Sequence, residues 1–226
     1  MATRHRIGLV FADSLTREGR RLLLQSQPEF DVVYEEDDGL RVLETLPDAS
    51  VDVVLVDTRI RSLGGVETIA KYLRRNSASG ERQPAFVLTG PFAYDELTLA
   101  AVRGGATGVV SEEDTAETLL EVLKAAAKLD PSFPLLDHVR FFADQKVPHG
   151  GNQRWKLRLV DLNSDEESVL EAISNGADGS ELKDLTGLPA TKVRWTLDAI
   201  QARLGLSTRS QLALALYEAG ITKSVG

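Results

Sequence analysis

The sequence predicts a two-domain protein in which an α/β domain, built on a doubly wound five-stranded parallel sheet, is followed by a small all-α domain of four helices. Three observations support this fold class. In the first half, β-rich apolar runs alternate with segments of helical periodicity, as they do in βα units. The second half contains helical segments only. The 226 residues are enough for two domains with separate hydrophobic cores.

Five β-rich runs predict the strands of the sheet. Residues 6–11 (RIGLVF), 51–57 (VDVVLVD) and 84–90 (PAFVLTG) are apolar almost throughout, and weaker runs occupy 30–36 and 106–112. A strand that is apolar on both faces is covered on both faces, which is typical of a parallel sheet. The intervening segments have helical periodicity. These predicted helices span residues 15–26, 39–46, 66–75, 95–103 and 116–129.

Composition shifts predict the domain boundaries. Residues 1–129 form the α/β domain, and residues 130–157 are a predicted linker because they contain three prolines and a glycine pair, with a short helix expected around 135–143. Residues 158–226 form the helical domain. The expected signals for helix starts are a capping box from Ser164 to Glu167, Pro189 in a first turn, and a cap at Ser207. The expected helix ends are Gly176, Gly187, Gly205 and Gly220.

Composition also excludes several classes of protein. The chain has no cysteine and three scattered histidines, which excludes disulfides and thiolate chemistry and argues against a His-rich metal site. No apolar stretch approaches the roughly 20 residues that span a bilayer, and Asp13 lies where a signal peptide would still be apolar. We therefore expect a cytoplasmic protein with no membrane partner.

The net charge of −8 is divided unevenly along the chain. Residues from 152 onward carry −1, and the residues before them carry −7. The acidic first half argues against a protein that coats nucleic acid without selectivity. It leaves room for a local basic face in the second half.

The carboxyl ends of the predicted strands collect the candidate polar residues. Ligands and chemistry lie beyond these ends in a doubly wound sheet. Asp57 ends the run VDVVLVD and is therefore a stronger candidate than an average aspartate. The other residues predicted at this edge are Phe11, Ala12, Asp13, Thr89 and Ser111 to Glu113.

The third helix of the second domain has two distinct faces. Its apolar stripe consists of Val193, Leu197, Ile200 and Leu204, and its other face carries Thr191, Arg194, Trp195 and Asp198. A tryptophan beside an arginine on a surface indicates a partner. The alternative is that Trp195 packs against a neighbouring helix or the first domain.

The quoted patterns resemble a known family. Residues 162–220, from LNSDEESVLEAISNG to STRSQLALALYEAG, look like the LuxR/FixJ-type helix-turn-helix domain. Together with VVLVDTRIRSLGGVE and RGGATGVVSEED, they make the chain similar to a NarL-type response regulator, whose receiver has a CheY-like fold. The residues that match the helix-turn-helix pattern are Glu166, Val169, Leu170, Gly176, Glu181, Leu182, Val193, Ile200, Leu204 and Gly205.

The resemblance implies a DNA-binding transcriptional regulator with a recognition helix in the major groove. The DNA contacts carried over from the family fall on Thr191, Lys192, Arg194 and Trp195. Asp198, one turn later, departs from the family's usual residues and would repel phosphate. The alternative for Lys192 and Arg194 is a solvated helix face.

The resemblance also makes Asp57 the phosphate-acceptor position and Thr89 the switch position of a receiver. The family's acidic pair, which holds Mg²⁺, falls on Phe11 and Ala12, and the family's lysine falls on Glu112. Asp13 could turn toward the site, but we expect it instead to be the N-cap of the first helix.

We therefore predict a degenerate receiver in which Asp57 is a vestigial phosphate acceptor. We expect no cofactor, because only a functional receiver needs Mg²⁺. Arg59 or Arg61 as a substitute counter-charge keeps a conventional phospho-activated regulator as the alternative.

Several partners and roles stay open at this point. The expected partners are double-stranded DNA, a second copy of the chain, and either a sensor kinase or a small-molecule ligand. The receiver could serve as a dimerisation module, which is the role we favour, or as a ligand-binding module. It could also hold the DNA-binding domain in an open or closed arrangement through the linker. A second alternative is a protein-interaction adaptor with weak DNA binding. An enzyme is not expected, because Arg59 stands where haloacid-dehalogenase-type phosphatases have a second aspartate.

Overall fold

The computed structural model describes residues 4–76, 82–91, 96–128, 159, 162–174, 177, 179–206, 208–219 and 221. The chain divides into two compact units, residues 1–129 and residues 130–226. The predicted linker, residues 130–157, lies outside the described residues, and so do the predicted helix signals at Gly176, Ser207 and Gly220. Within the described part of the chain, no helix has both the length and the apolar character needed to cross a bilayer.

The first unit contains the predicted five-stranded parallel sheet, so the fold class is confirmed. The strand order is β2-β1-β3-β4-β5. The strands are β1 (His5–Val10), β2 (Phe30–Glu36), β3 (Val53–Asp57), β4 (Ala85–Gly90) and β5 (Gly108–Ser111). Two of them, β3 and β5, begin two residues later than the apolar runs predicted. The shared carboxyl edge brings the ends of β1, β3, β4 and β5 together.

Helices cover both faces of this sheet. They are α1 (Ser14–Gln25), α2 (Gly39–Thr45), α3 (Gly65–Asn76), α4 (Glu96–Gly104) and α5 (Ala116–Lys128). A 3₁₀ turn, Leu46–Asp48, follows α2 because Pro47 lacks the N–H that an α-helix requires.

The core has two layers, one on each face of the sheet. Alternate residues of β3 supply both layers. Leu55 packs with Leu24 and Leu123 on the α1 and α5 side, whereas Val56 packs with Ile69 on the α2, α3 and α4 side. All of these side chains are essentially fully buried, and each stabilises the fold by about 1.5–3 kcal/mol. Asp57 continues β3 at the point where this core reaches the carboxyl edge.

The described residues of the second unit form four helices around one core. They are α6 (Ser164–Ser174), α7 (Gly179–Thr186), α8 (Ala190–Leu204) and α9 (Arg209–Ala219). The predicted apolar stripe of α8 is confirmed, since all four of its residues are at most 3% exposed. Gly187 and Gly205 adopt positive φ angles of 68° and 70°, which suit glycine, and Gly205 ends α8 in the left-handed conformation.

The predicted capping box of α6 is wrong by one residue. Asn163, and not Ser164, is reciprocally bonded: its Oδ1 accepts from the Glu166 N–H and its own N–H donates to Glu166 Oε2, both at 3.0 Å. The physical reason is that Glu166 is 3% exposed and also binds Arg203 Nη2 at 2.6 Å. The core side of α6 therefore begins at Glu166, and Glu167 faces solvent.

Candidate functional site

The acceptor and switch candidates lie side by side at the carboxyl edge of the sheet. Asp57 is the last residue of β3, and it is paired in register with Thr89 of β4. Both side chains are buried, with Asp57 7% and Thr89 1% exposed. The Thr89 hydroxyl has no hydrogen-bond partner among the described atoms. This edge therefore contains a carboxylate beside an unsatisfied hydroxyl.

Arg59 connects Asp57 to Glu112. The Arg59 backbone N–H donates to Asp57 Oδ1 at 2.6 Å, and its Nε lies 3.6 Å from the same oxygen. The Nη2 of the same guanidinium forms an ion pair with Glu112 Oε1, immediately after β5. One cation therefore bridges two carboxylates, and the three groups together carry a net charge of −1. The negative charge of Glu112 is compensated from within the chain, by a residue two positions after Asp57.

The other candidate counter-charge, Arg61, does not pair with Asp57. Its Nη1 lies 2.9 Å from Asp37 Oδ2, and its backbone N–H donates to the Asp37 carbonyl. Arg61 is therefore not the counter-charge of Asp57, because the loop directs Arg61 toward the end of β2. Arg59 is the residue that faces Asp57.

The two residues that replace the family's acidic pair have different surroundings. Phe11 is 1% exposed and belongs to the core layer between the sheet, α1 and α5. Ala12 is half-buried. The Phe11 carbonyl accepts from Arg17 Nη1 at 2.6 Å, which brings a second guanidinium close to the end of β1. Because Phe11 points into the core, it adds no apolar surface to the edge.

Asp13 caps α1, as expected from the sequence. Its Oδ1 accepts from the Thr16 backbone N–H at 2.7 Å. This bond is the largest cause that lowers the pKa of the Asp13 carboxyl below its ordinary value. An aspartate engaged in this way is held at the helix terminus and is not directed at Asp57.

Sequence reasoning missed an acidic group at the end of β2. Glu36 pairs with Arg41 at 3.1 Å, and Asp37 pairs with Arg61. Asp38 caps α2 and accepts from the Ser62 hydroxyl, which is the first cause that lowers the pKa of this carboxyl. The signal was the run EEDD at residues 35–38, which a parallel sheet brings to the same edge as Asp57. Each of the last three carboxylates already has a partner within the chain.

The side chains at this edge do not fit the Mg²⁺ site of a working receiver. Mg²⁺ requires hard oxygen ligands in near-octahedral geometry. Phe11 and Ala12 supply no carboxylate, and Asp13 is committed to its helix cap. Across the described part of the chain, no group of three or more His, Cys, Asp or Glu side chains could hold a metal ion.

Gly65 sets the path of the loop that carries Arg59. A Cβ at this position would clash with the Asp57 carbonyl oxygen and would lie 2.9 Å from Leu88 Cδ1. The Gly65 N–H donates to the Thr58 carbonyl at 3.1 Å, which closes the turn after β3. Only a glycine lets α3 begin this close to the acceptor strand.

In the second unit, the predicted DNA contacts project from α8. Thr191, Lys192, Arg194, Trp195 and Asp198 are all exposed. Trp195 is 74% exposed, so its alternative role as a residue packed against a neighbouring helix of this unit is wrong. Lys192 Nζ forms an ion pair with Asp165 Oδ2 of α6 at 2.7 Å. Arg194 and Asp198 form no ion pair with any described residue.

The turn before α8 has the dimensions of a helix-turn-helix. Only residues 187–189 separate α7 from α8, and Gly187 adopts a positive φ. Two helices joined by a turn of three or four residues that contains glycine are typical of this motif.

Comparison with known proteins supports the same interpretation. No protein-family model matches the chain. It is similar to the transcriptional regulatory protein LiaR of Bacillus subtilis, at 22% identity over 92% of this chain and 95% of that protein. It is similar to the nitrate/nitrite response regulator protein NarP of Escherichia coli, at 24% identity over 92% of each chain. It is also similar to the DNA-binding transcriptional activator DevR/DosR of Mycobacterium tuberculosis, at 26% identity over 94% of each chain.

Solved structures with the same fold include both partial and full-length chains. The signal receiver domain of the putative response regulator NarL from Mycobacterium tuberculosis covers 56% of this chain and 98% of its own, with 24% identity and a TM-score of 0.51. RcsB of Salmonella enterica serovar Typhimurium, bound to promoter P1flhDC, aligns with 95% of this chain over 98% of its own length, with 17% identity and a TM-score of 0.51. Over more than nine-tenths of its length, the chain is therefore a homologue of the NarL/LuxR-type response regulators.

Proposed function

We propose that this protein is a DNA-binding transcriptional regulator whose receiver-like unit is not switched by Mg²⁺-dependent phosphorylation. In this proposal residues 1–129 are the receiver-like domain, 130–157 the linker and 158–226 the DNA-binding domain. The observation that carries the proposal is the exposed face of α8, from which Arg194 and Trp195 project while the opposite face forms the core.

The geometry of α8 suits the major groove of DNA. With 15 residues, α8 is about 22 Å long, and it follows a three-residue turn, as recognition helices do. Its apolar stripe fixes its rotation on the core, so the same residues always face outward. Arg194 supplies a cation that has no partner among the described residues and is available to a phosphate or a guanine. DevR/DosR, a relative over 94% of the chain, is a DNA-binding transcriptional activator.

Fluorescence anisotropy of the full chain with a labelled duplex of mixed sequence tests DNA binding at two salt concentrations. We expect affinity to fall as salt rises, because contacts between cations and phosphates release counterions. Arg194→Ala should weaken binding about tenfold. Arg75→Ala, an exposed cation at the end of α3, is the matched control because it changes the net charge by the same amount. Loss of affinity in both variants alike, or no binding at either salt concentration, contradicts the proposal.

The arrangement around Asp57 supports the second half of the proposal. A phosphoryl group on Asp57 would need a metal and a cation to neutralise its charge. The metal ligands are replaced, and the nearby guanidinium of Arg59 is shared with Glu112. NMR titration with Mg²⁺ should leave the amide signals of Thr58 and Arg59 unchanged. Saturable shifts of these signals would show that the edge binds the ion.

One observation favours the alternative, a conventional phospho-activated regulator. Asp57 and Thr89 stay adjacent, and the Thr89 hydroxyl is free to donate a hydrogen bond. In that case Arg59 would leave Glu112 and bind the phosphoryl group. Phosphorylation of Asp57 by a small phosphodonor separates this alternative from the proposal.

We also infer that the protein acts as a homodimer. Leu15 and Leu22, seven residues apart on the same side of α1, are 80% and 57% exposed. Such an apolar pair on a surface helix is typical of an interface. Sedimentation of Leu15→Glu and Leu22→Glu should show less dimer than sedimentation of the wild type. Leu40→Glu makes the same change at a 50% exposed leucine of α2 and should show no effect. Equal sedimentation of all four proteins contradicts this role of α1.

A further inference from the structure

The outermost stripe of α8 carries an aromatic ring and an anion, and no cation. Thr191, Trp195, Asp198 and Ala202 recur at spacings of 4, 3 and 4 and are all exposed. At 100° per residue, this stripe lies opposite the buried stripe that includes Leu197. Trp195 and Asp198 are therefore the side chains that project farthest from the domain along this helix.

The two cations of α8 that precede Asp198 lie on the flanks of this stripe. Lys192 is turned toward α6, where it pairs with Asp165 at 2.7 Å. Arg194 lies on the opposite flank, because it is separated from Lys192 by about 200° around the helix axis. A helix seated in a groove presents its central stripe to the base edges and its flanks to the two phosphate backbones. The positions of Lys192 and Arg194 suit phosphate contacts.

We propose that Trp195 and Asp198 set the DNA sequence preference of this protein, with Asp198 selecting a cytosine and Trp195 selecting a thymine. This inference rests on the proposed function. A carboxylate only accepts hydrogen bonds, and the N4 amino group of cytosine is a donor in the major groove. Guanine presents two acceptors there, which repel a carboxylate, and adenine places its N7 acceptor beside the N6 donor, which weakens the contact. The indole of Trp195 packs against the C5-methyl group of thymine.

The cost of placing an anion in the groove makes this selection sharper. Asp198 has no cationic partner among the described residues, so it enters the groove as a charge that phosphates repel. A cytosine amino group recovers part of that cost, an adenine recovers less because N7 repels the carboxylate, and a guanine or thymine leaves the carboxylate desolvated and unpaired. The same residue therefore lowers affinity for general DNA and favours sites with a cytosine at one position.

The helix geometry predicts how far apart the two bases lie. Trp195 and Asp198 are separated by three residues, or about 4.5 Å along the helix axis. Base pairs are spaced by about 3.4 Å. The selected thymine and cytosine should therefore lie within about two base pairs of each other in each half-site.

Selection of binding sites from a duplex library with a randomised centre, using the full-length protein, tests the inference. The wild type should enrich sites with a fixed cytosine, and replacing that base should reduce affinity about tenfold in an anisotropy titration. Asp198→Asn should lose the cytosine preference and favour adenine, which an amide binds through N6 and N7. Trp195→Ala should relax the thymine position only. Asp184→Asn, an exposed carboxylate on α7, is the matched control and should enrich the wild-type sites.

The outcomes separate the inference from the function on which it rests. If the wild type and Asp198→Asn enrich the same sites, Asp198 does not read a base, although the protein still binds DNA. If the wild type binds DNA but enriches no sequence, base selection by Trp195 and Asp198 is refuted as well. If no variant binds the library at low salt, the proposed DNA-binding function fails and the inference fails with it. Circular dichroism of each variant checks that its total helix content equals that of the wild type.

Discussion

Replacing Arg59 by alanine tests the ion-pair bridge between Asp57 and Glu112. The variant loses the guanidinium but keeps the backbone N–H that donates to Asp57 Oδ1 at 2.6 Å. The measured effect therefore belongs to the side chain alone. We expect the free energy of unfolding of the receiver-like unit to fall, because two carboxylates at the sheet edge lose their shared counter-charge.

The expected size of this effect follows from the geometry. At 3.6 Å between Arg59 Nε and Asp57 Oδ1, the attraction is about 4–5 kcal/mol in a medium of dielectric constant about 20. The Arg59 side chain is 62% exposed, so solvent screens most of this attraction, and ordering the side chain opposes it. We therefore expect a net loss of about 1 kcal/mol, which becomes smaller as salt is added.

A double-mutant cycle with Glu112→Gln measures the coupling. The chain has two tryptophans, Trp155 and Trp195, and neither belongs to this unit. Urea unfolding should be followed instead by hydrogen exchange in peptides from β3 and β5. We expect Arg59→Ala and Glu112→Gln to be non-additive by about 0.5–1 kcal/mol.

Arg61→Ala provides the matched control. Arg61 is 65% exposed and pairs with Asp37, so its replacement should be additive with Glu112→Gln. If Arg59→Ala is also additive with Glu112→Gln, or if it leaves the unit's stability unchanged at low salt, Arg59 does not couple the two carboxylates.

Three further changes test other parts of the structure. Glu166→Ala should lower the free energy of unfolding of the second unit by about 2–3 kcal/mol, since it leaves Arg203 and the α6 cap without their partner. Glu166→Gln should lose less, and hydrogen exchange in peptides from α6 and α8 in urea measures both. Gly65→Ala should cost about 1–3 kcal/mol in the receiver-like unit, and unchanged thermal unfolding would contradict the tight turn. Because the pKa of Asp38 is lowered in the folded protein, its contribution to stability should be full above the ordinary aspartate pKa and lost as pH falls through the lowered value. Acid unfolding of Asp38→Asn should lack this component.

The alternation of apolar runs and helical periods was sufficient to predict the fold class, because burial on both faces leaves continuous apolar strands. Strand starts were less predictable. The predicted run began at Val51, whereas β3 begins at Val53. Val51 and Asp52 are only half-buried, and the fully buried part of the strand begins at Val53.

The positions of the site candidates were predictable, and their partners were not. Parallel strands bring Asp57 and Thr89 to one edge whatever the loops do. Which arginine pairs with Asp57 depends on the loop after β3, in which Ser62 adopts a positive φ of 62°. The capping box was misassigned because Asn163 and Ser164 are both good caps, and the burial of Glu166 decides between them. The Lys192 ion pair with α6 likewise follows from tertiary packing alone.

Mass spectrometry of the intact protein after incubation with acetyl phosphate and Mg²⁺ tests the central claim about the receiver most directly, with Asp57→Asn as the control. We predict that neither protein gains a phosphoryl group, because the edge lacks metal ligands and Arg59 is already shared with Glu112. A gain of one phosphoryl group in the wild type that is absent from Asp57→Asn would instead show that Asp57 is a working switch.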